Sequence, residues 1–299
     1  MRDNEGKTEQ EFLQAYDASQ FERPSVTVDM LIFTIVSEEE KNYRKLPVKE
    51  LKVLLVKRGQ HPFLGQWALP GGFVGIHKSL EEAAIRELKS ETNVDDVYLE
   101  QLYTWGDVNR DPRTRVISAS YLSLVDSSNL EVKAGEDAAD AKWFSVRDKV
   151  LEEKITNTDY GKILERIHEV EFINGNEHIR VGVKITTEFK GCILRVSTKI
   201  VNNEGIAFDH VAIIHYGLER LKNKIEYTDI AFNLMPALFT LTELQQVYEI
   251  ILGKELLKAN FRRKIAGMVI ETNDFKRDAG HRPSKLFRFN PQWQKESFN

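Results

Sequence analysis

The segment from Trp67 to Val94 constrains this chain more than any other. It runs through Leu69-Pro70-Gly71-Gly72-Phe73 and, after Ser79, enters an acid-rich stretch whose Leu80, Ala83, Ala84 and Leu88 recur at helical spacing. Ser79, with Glu82 three residues on, makes a capping box that starts the helix. Asn93 tolerates the left-handed conformation that ends one. Upstream, Leu51-Lys52-Val53-Leu54-Leu55-Val56 reads as a strand. A strand, a tight glycine loop and a helix with one apolar face require a sheet for that face to cover.

The remaining elements supply one. After Pro24, the run Val26, Val28, Met30-Leu31-Ile32-Phe33 is a strand buried on at least one face, and the charged stretch Glu38–Glu50 is the loop of a hairpin. Further strands fit Val97–Leu102, Thr114–Val125 and Ala141–Phe144. Residues 150–206 differ in texture: a short helix is expected at Asp159–Ile167, then Val170-Glu171-Phe172, a hairpin turn at Asn174-Gly175, alternating Ile179–Val183, and Cys192–Val196. This β-rich insertion either packs on the sheet or forms part of a dimer surface. From Phe208 the pattern turns helical: His210–Lys222, then Leu241–Leu252 capped by Thr240 with Glu243 and stopped by Gly253, then Glu255–Ala266. Strands at Met268–Thr272 and Lys285–Phe289, joined by a polar hairpin with Gly280 and Pro283, complete the order of a winged helix-turn-helix. The expected fold is α/β (α+β), with units at 21–150, 151–206 and 207–290.

With 299 residues and 41% hydrophobic content, the chain suits two folded domains. No apolar run of roughly 18 residues occurs, so a soluble, cytoplasmic protein with no membrane contact is expected. The single cysteine, Cys192, rules out an internal disulfide and a thiolate zinc site, and reads as a small apolar strand residue. His61, His77, His168, His178, His210 and His215 show no metal-ligand spacing, and each is expected to be structural; Asp209-His210 is expected to cap and pack a helix. The net charge of −4 conceals an asymmetry: residues 254–288 carry ten basic side chains against four acidic ones, which leaves −10 for the rest. A basic segment in an otherwise acidic chain is the footprint of a phosphate-backbone reader, or of a solvated charged face.

The segment Gly72 … Arg86-Glu87-Leu88 … Glu91 … Val94 resembles the Nudix box, a diphosphate-hydrolase motif. Three positions depart from it: Lys78 stands where the first Glu belongs, Ser90 replaces one of the paired carboxylates, and Asn93 replaces the closing Gly. Glu87 and Glu91, four apart on one helical face, are the residual catalytic pair and the candidate metal ligands; they admit one magnesium ion, which a pure sensor does not require. The flanking Arg58, Trp67, Thr104-Trp105-Gly106-Asp107 and Arg110-Asp111-Pro112-Arg113 resemble Nudix domains that recognise ADP-ribose. That resemblance implies an effector site of Arg58, Trp67, Gly71, Gly72, Phe73, Arg86, Arg110 and Arg113. Arginines there grip a diphosphate and an aromatic face stacks on adenine.

Residues 239–265 are similar to the winged-helix domain of Nudix-related transcriptional regulators of the NrtR type, and the two resemblances together span 21–150 and 207–290. They imply a homodimer that reads a double-stranded DNA operator under the control of an ADP-ribose-like metabolite. Lys258, Arg262, Arg263 and Lys264 on the third helix, and Lys276, Arg277, His281 and Arg282 in the wing, are the DNA-facing candidates, while Phe261 and Ile265 are expected to pack inward. The alternative is an active Nudix hydrolase that cleaves ADP-ribose with magnesium, using a base from Glu131, Glu136 or Asp137. Lys78 and Ser90 argue for weak or no such activity. A winged helix that binds protein instead of DNA is a third reading.

Overall fold

The computed structural model describes residues 2–37, 47, 49–94, 97–127, 138–276 and 283–293. A mixed sheet organises the chain, with strands β1 (Ser25–Ser37), β2 (Lys49–Arg58), β3 (Trp67–Ala68), β4 (Gly71–Phe73), β5 (Tyr98–Trp105), β6 (Val116–Asp126), β7 (Ala138–Thr158), β8 (Gly161–Asn174), β9 (Glu177–Lys190) and β10 (Ile193–Asn203). Their order is β10-β9-β8-β7-β2-β1-β6-β5, with β3 beside β2 and β4 beside β1. Only the β1–β6 pair is parallel among the described strand pairs.

Central strand β1 is buried on both faces, and its alternation sorts two cores. Val28, Met30 and Ile32 face α2 (Leu80–Thr92), whose Ala83, Ala84 and Leu88 cover them. Leu31, Phe33 and Ile35 face the opposite layer, formed by α3 (His210–Lys224) and the C-terminal elements. Helix α2 starts at the expected capping box, Ser79 with Glu82, and ends at Asn93 in the left-handed conformation (φ 54°). A short helix α1 (Glu9–Ala15), which the sequence reading did not anticipate, lies outside both cores with no buried residue.

The β-rich segment is an edgewise extension of the sheet. Strand β7 runs through the expected 150/151 boundary, and its outer half pairs with β8. The helix expected at Asp159–Ile167 is instead a turn at Asp159-Tyr160 followed by β8. The apolar spacing of Ile163, Leu164 and Ile167 is compatible with a helix, but pairing on both sides, with β7 and with β9, decides for strand. The Asn174-Gly175 turn forms as expected. Cys192 is exposed in the β9–β10 turn and is not a packed strand residue.

Helix α3 is buried nearly all round its first three turns, because it lies between the sheet and the C-terminal helices. These are α4 (Leu241–Leu252), with the Thr240/Glu243 capping box and Gly253 at φ 66°, and α5 (Lys258–Ile265). The hairpin β11 (Val269–Lys276) and β12 (Ser284–Phe289) follows. Tyr248, Phe261 and Ile265 join the same apolar cluster as Phe33 and Leu218, so one core links the sheet to the winged helix. No described helix is long and apolar enough to cross a membrane.

Gly217 sets how closely α3 approaches the sheet: a Cβ there would lie 2.0 Å from Leu31 Cδ2. Leu31 is fully buried and has no room to retreat. Gly217→Ala is therefore expected to destabilise the chain by about 1–3 kcal/mol through overpacking. Urea unfolding checks this; an unchanged or raised midpoint would show that the contact relaxes freely.

Candidate functional site

Pairing of β4 with β1 places Gly71 opposite Asp29 and Gly72 opposite Val28. Gly71 is required by space, and Gly72 lets Glu87 come close. A Cβ on Gly71 would meet the Val28 carbonyl at 2.4 Å, and one on Gly72 would meet Glu87 Oε1 at 2.8 Å. The glycine pair thus lets the loop lie against the strand on one side and the α2 carboxylate on the other. Around it opens a cavity of about 680 Å³, lined among others by Arg58, Phe73, Arg86, Glu87, Ser90, Glu91, Arg113 and Phe208. This is the size of a small-molecule site.

Its floor is a buried polar network. The Arg110 side chain is 5% exposed and donates from Nε and Nη2 to both Asp209 oxygens, at 2.9 and 2.7 Å, while Nη2 also lies 3.4 Å from Asp29 Oδ2. Ser118 Oγ donates to Asp29 Oδ2 at 2.5 Å. Burial works against the charge on Arg110, but the hydrogen bonds and attraction of Asp209, then Asp29, raise its pKa above the ordinary arginine value. Arg110 lines the cavity, yet its guanidinium is already engaged by these two carboxylates. Asp209 makes no side-chain cap on α3; its carboxylate holds Arg110 instead.

The mouth is arginine and aromatic. Arg58 donates from Nε to the Pro62 carbonyl at 2.7 Å and stands 4.9 Å from the Phe208 ring centre; Arg113 lies 5.5 Å from Phe73 and 5.9 Å from Phe208. Asp111 pairs with Arg113 at 2.7 Å. Phe208 holds φ at +54°, a conformation an aromatic residue adopts only where its surroundings enforce it, and such residues gather at ligand clamps. No sequence signal marked Phe208, because its role depends on the approach of β2 and the 110–113 loop.

Trp67, expected in the effector site, is 4% exposed and packs edge-on against Phe144 in the core; it does not line the cavity. Its backbone matters instead: the Trp67 N–H donates to the Gly205 carbonyl and the Trp67 carbonyl accepts from the Ala207 N–H, which sews the lead-in of α3 to β3.

On α2, Glu87 and Glu91 both line the cavity; Arg86 Nη2 donates to Glu87 Oε1 at 2.7 Å, and Glu91 is buried. Ser90 Oγ donates back to the Glu87 carbonyl at 3.0 Å. Lys78 turns to Glu82 at 3.6 Å and is not among the lining residues. Two carboxylates with water suit one magnesium ion, and Ser90 stands where the motif would place a further carboxylate facing the cavity. Glu131, Glu136 and Asp137 lie outside the described residues.

In the C-terminal unit, Lys258, Arg262, Arg263 and Lys264 are all exposed on α5, while Phe261 and Ile265 are buried as expected. Arg263 donates to Asn260 Oδ1 at 3.2 Å, and Lys264 lies 5.2 Å from the Tyr248 ring centre. Lys276 is tied to the capping-box Glu243 at 2.7 Å, which draws it toward α4. Arg277, His281 and Arg282 lie outside the described residues.

Residues 231–289 match the NrtR DNA-binding winged helix domain, and residues 35–167 match the NUDIX domain. The ADPR responsive transcriptional repressor NtrR of Acinetobacter baylyi is 31% identical over 285 residues, covering 94% of this chain and 88% of that protein. The chain belongs to the NrtR family of Nudix-related transcriptional regulators. Shewanella oneidensis NrtR complexed with a 27mer DNA superposes at a TM-score of 0.59, with 28% identity, covering 89% of this chain and 94% of that one. A MutT/nudix family protein from Enterococcus faecalis superposes at a TM-score of 0.65, with 26% identity, covering 95% and 94%. Most of the cavity lining lies within the residues matched to the NUDIX domain, while Thr27 and Asp29 come from β1 before it and Phe208 and His210 from the start of the helix leading to the winged domain.

His210 is buried, and its Nδ1 accepts from the Leu69 N–H at 2.9 Å, so the neutral ring carries its proton on Nε2. Burial pushes its pKa below 6.5, against the attraction of Asp29 and Asp209. The native state therefore declines a proton that the unfolded chain accepts below about pH 6.5. Stability from neutral His210 is complete above that pH and is lost as the pH falls. Urea midpoints at about pH 7.5 and 5.5 are expected to drop further apart in the wild type than in His210→Gln; equal drops would remove His210 from the pH response.

Proposed function

We propose that this chain is a transcriptional regulator whose Nudix cavity binds ADP-ribose or a related nucleoside-diphosphate sugar and whose winged helix binds duplex DNA. The observation that carries the reading is the cavity itself. Arg58 and Arg113 flank Phe208 at its mouth, the right pairing for a diphosphate beside a flat ring, and Phe208 stands two residues before α3. The Acinetobacter baylyi relative carries the same pairing of names, ADPR responsive and transcriptional repressor.

A ligand in the cavity touches the start of α3, and α3 packs in the core shared with α4. It shifts DNA affinity only to the extent that it prefers one setting of α3 over another. Two copies of the chain, related by a two-fold axis, suit a palindromic operator. Exposed Ile193, Leu194, Val196 and Val201 on β10 favour assembly through the sheet extension. Hydrolysis is the second reading, kept open by Glu87 and Glu91 in the cavity and opposed by Ser90 and Lys78.

Calorimetry with ADP-ribose tests the ligand half. Arg58→Ala and Arg113→Ala are each expected to weaken binding about tenfold or more, as loss of a charge-assisted contact does. Retained affinity in both variants would remove them from the site. AMP release in magnesium, abolished by Glu91→Gln, would mark the hydrolase reading.

Fluorescence anisotropy on duplex DNA from upstream of the coding sequence tests the other half. The double variant Arg262→Ala/Arg263→Ala is expected to weaken binding and to reduce the log–log salt slope by about 2. An unchanged slope would take α5 off the DNA, and DNA affinity indifferent to ADP-ribose would dissociate the two halves.

A further inference from the structure

Some distance along α3 from His210, a second polar cluster is buried where no substrate cavity exists among the described residues. Asp148 on β7 receives His168 Nδ1 from β8 at 2.8 Å on one oxygen and His215 Nδ1 from α3 at 3.0 Å on the other. The side chains are 3%, 9% and 8% exposed, and the two imidazoles meet edge to face at 4.5 Å. The donor atoms of all three residues lie within 4.8 Å of one another. Lys222 reaches to 3.9 Å from Asp148 Oδ2 but also pairs with Glu219 at 3.0 Å.

We propose that Asp148, His168 and His215 form a binding site for a borderline divalent transition ion, with zinc as the representative. Two imidazole nitrogens and a carboxylate oxygen are the donors such an ion selects, whereas magnesium and calcium favour oxygen alone. Bonds of about 2.0–2.1 Å to four tetrahedral ligands set ligand–ligand edges of roughly 3.3–3.4 Å. The observed 2.8 and 3.0 Å separations, to the two oxygens of Asp148, need to open slightly, and the two Nδ1 atoms, within 4.8 Å of one another, need to draw together around the ion. Each ring then coordinates through Nδ1 with its proton on Nε2, so both remain neutral, and water completes the fourth position.

A carboxylate and two imidazoles displace apolar packing at the junction of sheet and helix, where polar groups are costly to bury. An ion there joins β7 and β8 to α3, the helix that connects the effector cavity with the winged domain. It serves as a structural clamp on that connection. The site is separate from Glu87 and Glu91, which lie on the other face of the sheet with α2.

The test uses the full chain stripped with EDTA and titrated with Co²⁺ and Zn²⁺. The variant Glu87→Gln/Glu91→Gln serves as background so that the cavity carboxylates contribute nothing. One Co²⁺ per chain with visible absorption of low-symmetry, nitrogen-containing coordination is expected. Excess Zn²⁺ is expected to raise Tm by about 5 °C. His215→Gln, His168→Gln and Asp148→Asn should each lower affinity at least about tenfold. No absorption bands and no Tm shift would overturn the proposal, as would binding that survives all three substitutions. Should the variants fail to fold, zinc-edge X-ray absorption on the loaded background chain decides: scattering from two imidazoles supports the site, and fewer overturns it.

Discussion

The buried guanidinium of Arg110, held between Asp209 and Asp29, is the contact on which the rest of the molecule depends. It joins the 110–113 loop, the central strand β1 and the start of α3 at one point. A charge in that position without its carboxylates would be strongly destabilising, and either carboxylate without it equally so. The three groups therefore hold α3 in one place relative to the glycine loop. From that placement follow the position of Phe208 over the cavity, the tautomer of His210 and the seat of the winged helix on the sheet.

The same network gives the cavity its character. Its floor holds one guanidinium, Arg110, between two carboxylates, while its mouth keeps the Arg58 and Arg113 guanidiniums against aromatic faces. Arg86 on α2 lines the same cavity. The two α2 carboxylates are spaced for a single ion, and Ser90 spends its hydroxyl on the helix backbone. Phe208, which lines the cavity close to the start of α3, is outside the motif that reveals the Nudix unit.

Legibility in the sequence differed sharply between elements. The capping boxes at Ser79/Glu82 and Thr240/Glu243, the left-handed stops at Asn93 and Gly253, and the Asn174-Gly175 turn all lie where short-range chemistry puts them. Residues 159–167 did not, since their apolar spacing suits either period and only pairing with β7 and β9 selects the strand. Among site residues, Gly71, Gly72, Phe73, Arg58, Arg86 and Arg113 line the cavity as their motif suggests. Trp67 turned inward and Arg110 was taken by acids far along the chain, outcomes that depend on partners the motif does not contain.

The amino-acid sequence by itself determined the order of most elements, their caps and turns, the burial of β1 on at least one face and the Nudix-to-winged-helix succession, because each rests on residues within a few positions of one another. The tertiary structure alone decided which distant groups meet. Arg110 and Asp209 are 99 residues apart, and Asp148 is separated from His168 and His215 by 20 and 67. Strand register and the approach of α3 through Gly217 bring them within hydrogen-bonding distance, and no local pattern encodes a meeting set by the packing of a helix on a sheet.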